Sequence, residues 1–242
     1  MPDLPAAARL AAWGTAALAG GVSLDEAADR VAGADDAPHR VFGVPGEPNG
    51  VNVAYTLGRL RALGVTSLRL VLPRPGDATG LPGPPAFNER AVSHGAAVLT
   101  HGGTTLGILD ETRGAWTAHE VAADPRTPLG LRDAERELLR VTREATEVLM
   151  RLDVARWEPA AAEVLAHQSN RATRPPLPPS FPPDAVMVLT HAQRIAMIVD
   201  AARASDGAAV TAAEARARAD VLRELDAAAR RGIEAACRGA VG

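Results

Sequence analysis

The chain has 242 residues, 47% of them hydrophobic but only 3% aromatic, and a formal net charge of −3. This is enough apolar chain for one large core or two small ones, and it is neither a disordered composition nor the basic footprint of a nucleic-acid binder. All 26 basic residues are arginine and Cys237 is the single cysteine, which excludes a Schiff-base or P-loop lysine, an intrachain disulfide and a thiolate zinc site.

Leu4–Leu18 reads as a first helix, ended by Gly20 and Gly21. Asp3 before Arg9, with no charged leading region and no long apolar run, sets it apart from a signal peptide. Ser23 and Glu26 have capping-box spacing, so Leu24–Val31 is a second helix. Arg40–Val44 is a short apolar strand. The loop Gly43–Gly50 follows, and Asn49 or Asn52 caps a helix that runs to Leu63 and stops at Gly64. Ser67–Pro73 is the best strand, because Leu68, Leu70 and Leu72 alternate with Arg69 and Val71. This strand–helix–strand order predicts a right-handed parallel crossover, provided the two strands are neighbours in one sheet.

The Pro73–Pro85 loop is crowded with residues that continue neither a helix nor a central strand. Ala86–Ala91 then opens a short helix. Ala96–Thr100 and Thr104–Asp110 flank His101-Gly102-Gly103, a hairpin signal, and Trp116–Val121 supplies a further strand. No segment reaches the roughly 20 apolar residues of a membrane span, so none is expected to cross one.

The composition changes at Asp124. In Leu131–Arg156 the apolar residues Ala134, Leu138, Val141, Ala145, Val148 and Leu152 step by four and three, the seam of a helical bundle. Arg140–Glu144, Arg143–Glu147 and Glu147–Arg151 dress the outside. Pro159–Gln168 is a short helix, and Asn170–Pro183 is a stiff polyproline-like connector. Asp184–Ala204 and Thr211–Arg238 form a helical hairpin turning at Ser205-Asp206-Gly207, with Thr211 and Glu214 as a second capping pair. Val188, Ala192, Ile195, Val199 and Ala202 face Leu222, Leu225, Ala229 and Ile233.

Few residues point to chemistry. Gly43, Gly46 and Gly50 lie between a strand and a helix, where free amides bind anions, but Pro45 and Pro48 remove two donors, leaving a tight connection. In the Pro73–Pro85 loop, Arg74 and Asp77 supply a charged pair, and Asn88 follows in the next helix. Such a set beside a strand end can hold a polar ligand, so these three are the candidate ligand-binding residues. His94, His101 and His119 fall in the sheet region with Asp110 and Glu120 nearby, yet none has ligand spacing; no metal and no cofactor is expected. No serine lies in G-x-S-x-G, and Cys237 has no histidine near it in sequence, so no catalytic residue is identified.

The strand and loop LRLVLPRPGD…GLPGPPAFNERA, with LDVARWEP and the PPSFPP that precedes a helix, resembles conserved proteins of high-GC actinobacteria that carry no assigned activity. The resemblance implies a cytoplasmic bacterial protein and no particular chemistry.

These readings converge on an α+β (or α/β) fold. Residues 1–123 form helices and a small mixed sheet, and residues 124–242 a helical bundle packed on it as one compact unit. The expected role is a non-catalytic interaction or scaffold protein, as a homodimer or with another protein, without membrane or nucleic acid. The alternative is an enzyme or small-molecule-binding protein using the 73–85 loop.

Overall fold

The computed structural model describes residues 4–33, 38–123, 127–151, 177–204 and 212–238. It is an α+β structure in which a six-stranded mixed sheet with flanking helices is followed by C-terminal helices. Two compact units divide it, one built on Leu4–Pro128 and the other on Leu129–Arg174 and Pro183–Ala236.

In the sheet unit, α1 (Ala6–Leu18) is mostly alanine and leucine, and eleven of its residues are buried. Ser23 starts α2 (Leu24–Ala32) by accepting the Glu26 amide at 3.0 Å. Arg9 of α1 donates to the Val31 carbonyl at 3.0 Å, meeting one of the acceptors that the end of α2 leaves open. β1 (Arg40–Phe42) and β2 (Val51–Asn52) form a short antiparallel pair. Asn52 accepts the Tyr55 amide at 2.7 Å and so opens α3 (Val53–Ala62). The remaining elements are β3 (Ser67–Val71), α4 (Pro85–His94), β4 (Ala97–His101), β5 (Leu106–Thr112) and β6 (Ala115–Glu120).

The strand order is β2-β1-β6-β5-β4-β3. β1 and β6 are parallel, and every other pair is antiparallel. β1 and β3 therefore stand near opposite ends of the sheet, and the parallel crossover expected between them is not formed. The four-residue connection between His101 and Leu106 and the two-residue connection Arg113–Gly114 favour hairpins, so β6 closes against β1 instead.

Pairing register assigns the faces. Leu68 lies opposite Thr100, and Leu99 opposite Gly107, so Leu68 and Gly107 point to different sides. α1 packs on the Leu68 side: a Cβ on Gly14 would come within 2.5 Å of the Leu68 side chain and 3.2 Å of Leu57. α4 packs on the Gly107 side, where a Cβ would run into the Phe87 ring. Glycine at these two sites lets a helix backbone and a ring approach the sheet. Beneath α4, Val71, Leu81, Phe87, Ala91, Ala97, Leu99 and Leu109 form a buried cluster.

β3 is an edge strand, and the Thr15 side chain covers it. The hydroxyl accepts from the Leu68 amide at 2.9 Å and donates to the Leu68 carbonyl at 3.1 Å. An edge with its polar groups taken cannot recruit another strand at that point.

In the helical unit, α5 (Leu131–Arg151), α6 (Pro183–Ala204) and α7 (Ala212–Ala236) pack with α7 against both others. The seam predicted for α5 is buried at Ala134, Leu138, Val141 and Ala145. Ala192, Ile195 and Val199 of α6 meet Leu222, Leu225 and Ala229 of α7. Glycine again sets the spacing, since a Cβ on Gly232 would lie 2.9 Å from the Ala192 Cβ. Arg231 of α7 clasps Glu137 of α5 through two hydrogen bonds of 3.0 and 2.9 Å. Asp226 and Arg230, both buried, pair at 3.1 Å along α7. The short helix expected at Pro159–Gln168, the turn at Ser205–Gly207 and the cap at Thr211 lie outside the described residues.

α6 also corrects one expectation. It has 22 residues with a mean hydropathy of 1.3 in its most apolar stretch, long and apolar enough by length and composition to cross a membrane. Of that stretch, 39% is buried inside the protein.

Candidate functional site

The 73–85 loop is built mainly from its own backbone. Arg74 and Asp77 exchange amide–carbonyl hydrogen bonds of 2.9 and 2.8 Å around Pro75-Gly76, with Gly76 at φ +85°. A proline followed by a left-handed glycine is the sequence such a tight turn requires. The Asp77 carboxylate accepts the Thr79 amide at 3.2 Å. Arg69 of β3 ties the loop down by donating to the Gly80 carbonyl at 3.0 Å, and Leu81 is buried under α4. The Asn88 side-chain oxygen accepts the Gly83 amide at 3.0 Å. The Arg74 guanidinium lies beside Gly95, where a Cβ would be 2.6 Å from it. Gly95 ends α4 in the left-handed conformation, so the arginine sits where a helix C-terminus favours a cation. Arg74 and Asp77 are thus joined through their backbones, while Asn88 holds the far end of the loop.

A second set of polar side chains converges on the α4 side of the sheet. Gly107, Leu109 and Glu111 of β5 alternate onto that side, and Glu111 is the charged member of the series. Arg90 of α4 donates to Glu111 Oε1. His94, one turn further along α4, places Nε2 3.2 Å from Glu111 Oε2. His119 of β6 places Nε2 3.8 Å from Oε1 and 3.3 Å from an Arg90 nitrogen. The His119 ring also packs near Phe87, with centroids 6.0 Å apart.

Partial burial works against the Glu111 charge, but the Arg90 hydrogen bond and charge, followed by the two imidazoles, outweigh it and hold the carboxyl below the usual glutamate range. The imidazoles play different parts. His119 Nε2 stands within reach of both Arg90 and Glu111. His94 faces a carboxylate oxygen and donates from Nε2. The arrangement can hold a carboxylate charged and present imidazole to a small polar ligand. Among the described residues no group of three histidine, cysteine or acidic side chains is placed to hold a metal ion.

Of the three sheet histidines, the structure gathers His94 and His119 and leaves His101 exposed at the end of β4. Their carboxylate is Glu111. Asp110 instead accepts the Gly114 amide at 3.1 Å in the β5–β6 turn.

The helical unit offers a different surface. Val186, Met187, Thr190, His191 and Arg194 of α6 line an open depression of about 390 Å³. Met187 is 59% exposed and Val186 37%. The opposite side of the same helix is the buried stripe Ala185, Val188, Leu189, Ala192, Ile195 and Val199.

Fold and site together define an α+β protein with a helix-covered sheet unit and a separate unit of packed helices. Residues 7–131 match the N-terminal domain, and residues 132–234 the C-terminal domain, of the Rv1486c-like proteins. The chain belongs to this family, whose reference name is a mycobacterial locus, in keeping with the actinobacterial resemblance of its sequence. No curated protein and no solved structure matches it.

Proposed function

We propose that this chain is a non-catalytic interaction protein of the bacterial cytoplasm that works through its C-terminal helices. The observation that carries the reading is α6, which is apolar on two sides. One side is buried against α7, and the other exposes Val186 and Met187 beside Thr190, His191 and Arg194. A helix apolar all round is ordinarily covered all round, and an exposed apolar strip rimmed by polar residues marks a contact surface. The test is capture from native-host extract with wild-type chain and with Met187→Asp. Loss of specific capture at an unchanged melting temperature supports the reading, and identical capture by the two proteins overturns it.

A second reading, a small-molecule-binding protein, is favoured by the convergence of Arg90, His94 and His119 on Glu111. A metabolite thermal-shift screen tests it. A compound that stabilises the wild type but not Glu111→Gln supports this reading over the first.

A further inference from the structure

α6 carries two exposed charges in a self-complementary order: Asp184 in the first turn, at the margin of the outer side, and Arg194 ten residues later on that side. Val186, Met187, Thr190 and His191 lie between them. Among the described residues neither Asp184 nor Arg194 makes an ion pair within the chain. At a rise of 1.5 Å per residue, the two charges are about 15 Å apart along the axis.

We infer that the partner of this face is a second copy of the same chain, laid antiparallel across a two-fold axis level with Leu189. The inference rests on the interaction reading above and names its partner. A two-fold level with Leu189 carries position 184 onto 194 and position 187 onto 191. Arg194 of one copy then meets Asp184 of the other at both ends, and each Met187 lies across from the other copy's His191. Self-complementary pairing of one patch with itself is the geometry of an isologous dimer. A parallel pairing in register would set Asp184 against Asp184 and Arg194 against Arg194, and like charges in an interface select against that arrangement. The apolar centre supplies area without direction, and the two end pairs fix direction and register.

The experiment is sedimentation equilibrium of the full chain across micromolar concentrations, for the wild type, Asp184→Arg, Arg194→Asp and the double reversal. The wild type should sediment at twice the 25.1 kDa chain mass. Each single reversal should weaken self-association on the order of tenfold or more at low salt, by replacing two attractive contacts with two repulsive ones. The double reversal should restore it. Both positions are exposed, so melting temperatures should stay level; Asp184→Asn and Arg194→Gln, which remove charge without repulsion, give smaller losses and guard against a misfolded reversal.

A wild type of 25.1 kDa throughout overturns the inference. A dimer that ignores both single reversals, or that the double reversal does not rescue, also overturns it. So does a monomer that floats with anionic or zwitterionic vesicles, which would assign the face to lipid. These results are separable from the broader reading: if the wild type is monomeric and Met187→Asp still loses capture from extract, interaction stands and the self-partner falls.

Discussion

The sheet unit and the helical unit dispose of apolar surface differently. In the sheet unit both faces carry helices, and register decides which side each residue serves. The face under α4 is filled by Val71, Phe87, Leu99 and Leu109, and its one charged β5 residue, Glu111, is met by Arg90 and His94. The exposed aromatics are also tied, Phe42 against Gly50 and Tyr55 through a 2.8 Å hydrogen bond to Glu47. That bond and the Glu47 charge push the Tyr55 phenol up from its ordinary range. In the helical unit α6 has a buried apolar side and an exposed one. A period of two leaves a strand residue only two directions, whereas a helix can carry a second stripe at no cost to the first. The second stripe is therefore where surface beyond the needs of folding shows itself.

Six substitutions test this contrast. The largest effect is expected for Ile195→Asp, which buries an unpaired charge between α6 and α7; such a change costs several kcal/mol, comparable to a small domain's whole stability. Expression should yield aggregate. A soluble protein with unchanged melting would mean that the inner stripe faces water. Gly107→Val comes next, since its side chain would overlap the Phe87 ring and overpacking costs about 1–3 kcal/mol. Its melting temperature should fall while α5–α7 keep their helical signal.

Thr15→Val keeps the shape of the side chain but leaves the Leu68 amide and carbonyl unmet at the sheet edge, a loss of about 1–2 kcal/mol. Hydrogen exchange at the Leu68 amide should quicken before that of β4. Glu111→Gln should cost about 1 kcal/mol at neutral pH. Because the folded carboxyl is held below its ordinary range, its contribution is present above the unfolded value and lost as pH falls through the folded one. The gap in melting temperature between wild type and variant should thus narrow as pH falls below the ordinary glutamate range and vanish below the folded value. A gap that persists there would assign Glu111 a packing role. The smallest effect is expected for Arg74→Ala and Asp77→Ala, because the Arg74–Asp77 turn is held by backbone, and an exposed Arg74 and a half-buried Asp77 at the surface contribute about 0–1 kcal/mol. Complementation in the native host separates a ligand role, with function lost at unchanged melting, from a connector role with function kept.

Much of the architecture is legible in the chain. Alternation at Leu68 and Leu70, the hairpin glycines after His101, the Ser23 and Asn52 caps and the four-three steps of α5 each have a local cause that survives folding. β2 is not legible, because two residues beside a helix cap carry no period. The parallel closure of β1 on β6 is likewise set by distant partners rather than by local pattern. In the site, His94 and His119 stand out as titratable residues near the sheet, but Asp110 and Glu120 look equally near in sequence. Only the alternation Gly107-Leu109-Glu111, read with the knowledge that α4 covers that side, selects Glu111. The outer stripe of α6 is visible in the sequence as Val186-Met187. The buried stripe is legible beside it, because Val188, Ala192, Ile195 and Val199 step by four and three along the helix.

The position of β6 bears on how the protein is made. Among the described residues the last strand to leave the ribosome, β6, is an interior one, flanked by β1, which was made about seventy residues earlier, and by β5. A nascent chain that stops at Arg113 holds two separate fragments, β2-β1 and β5-β4-β3, each with a bare edge. Long-range pairing of this kind is slow to form and exposes strand edges meanwhile. Stalled translation or a late truncation within residues 114–120 should therefore release an aggregation-prone product. A truncation after Glu120 should leave every strand of the sheet in place.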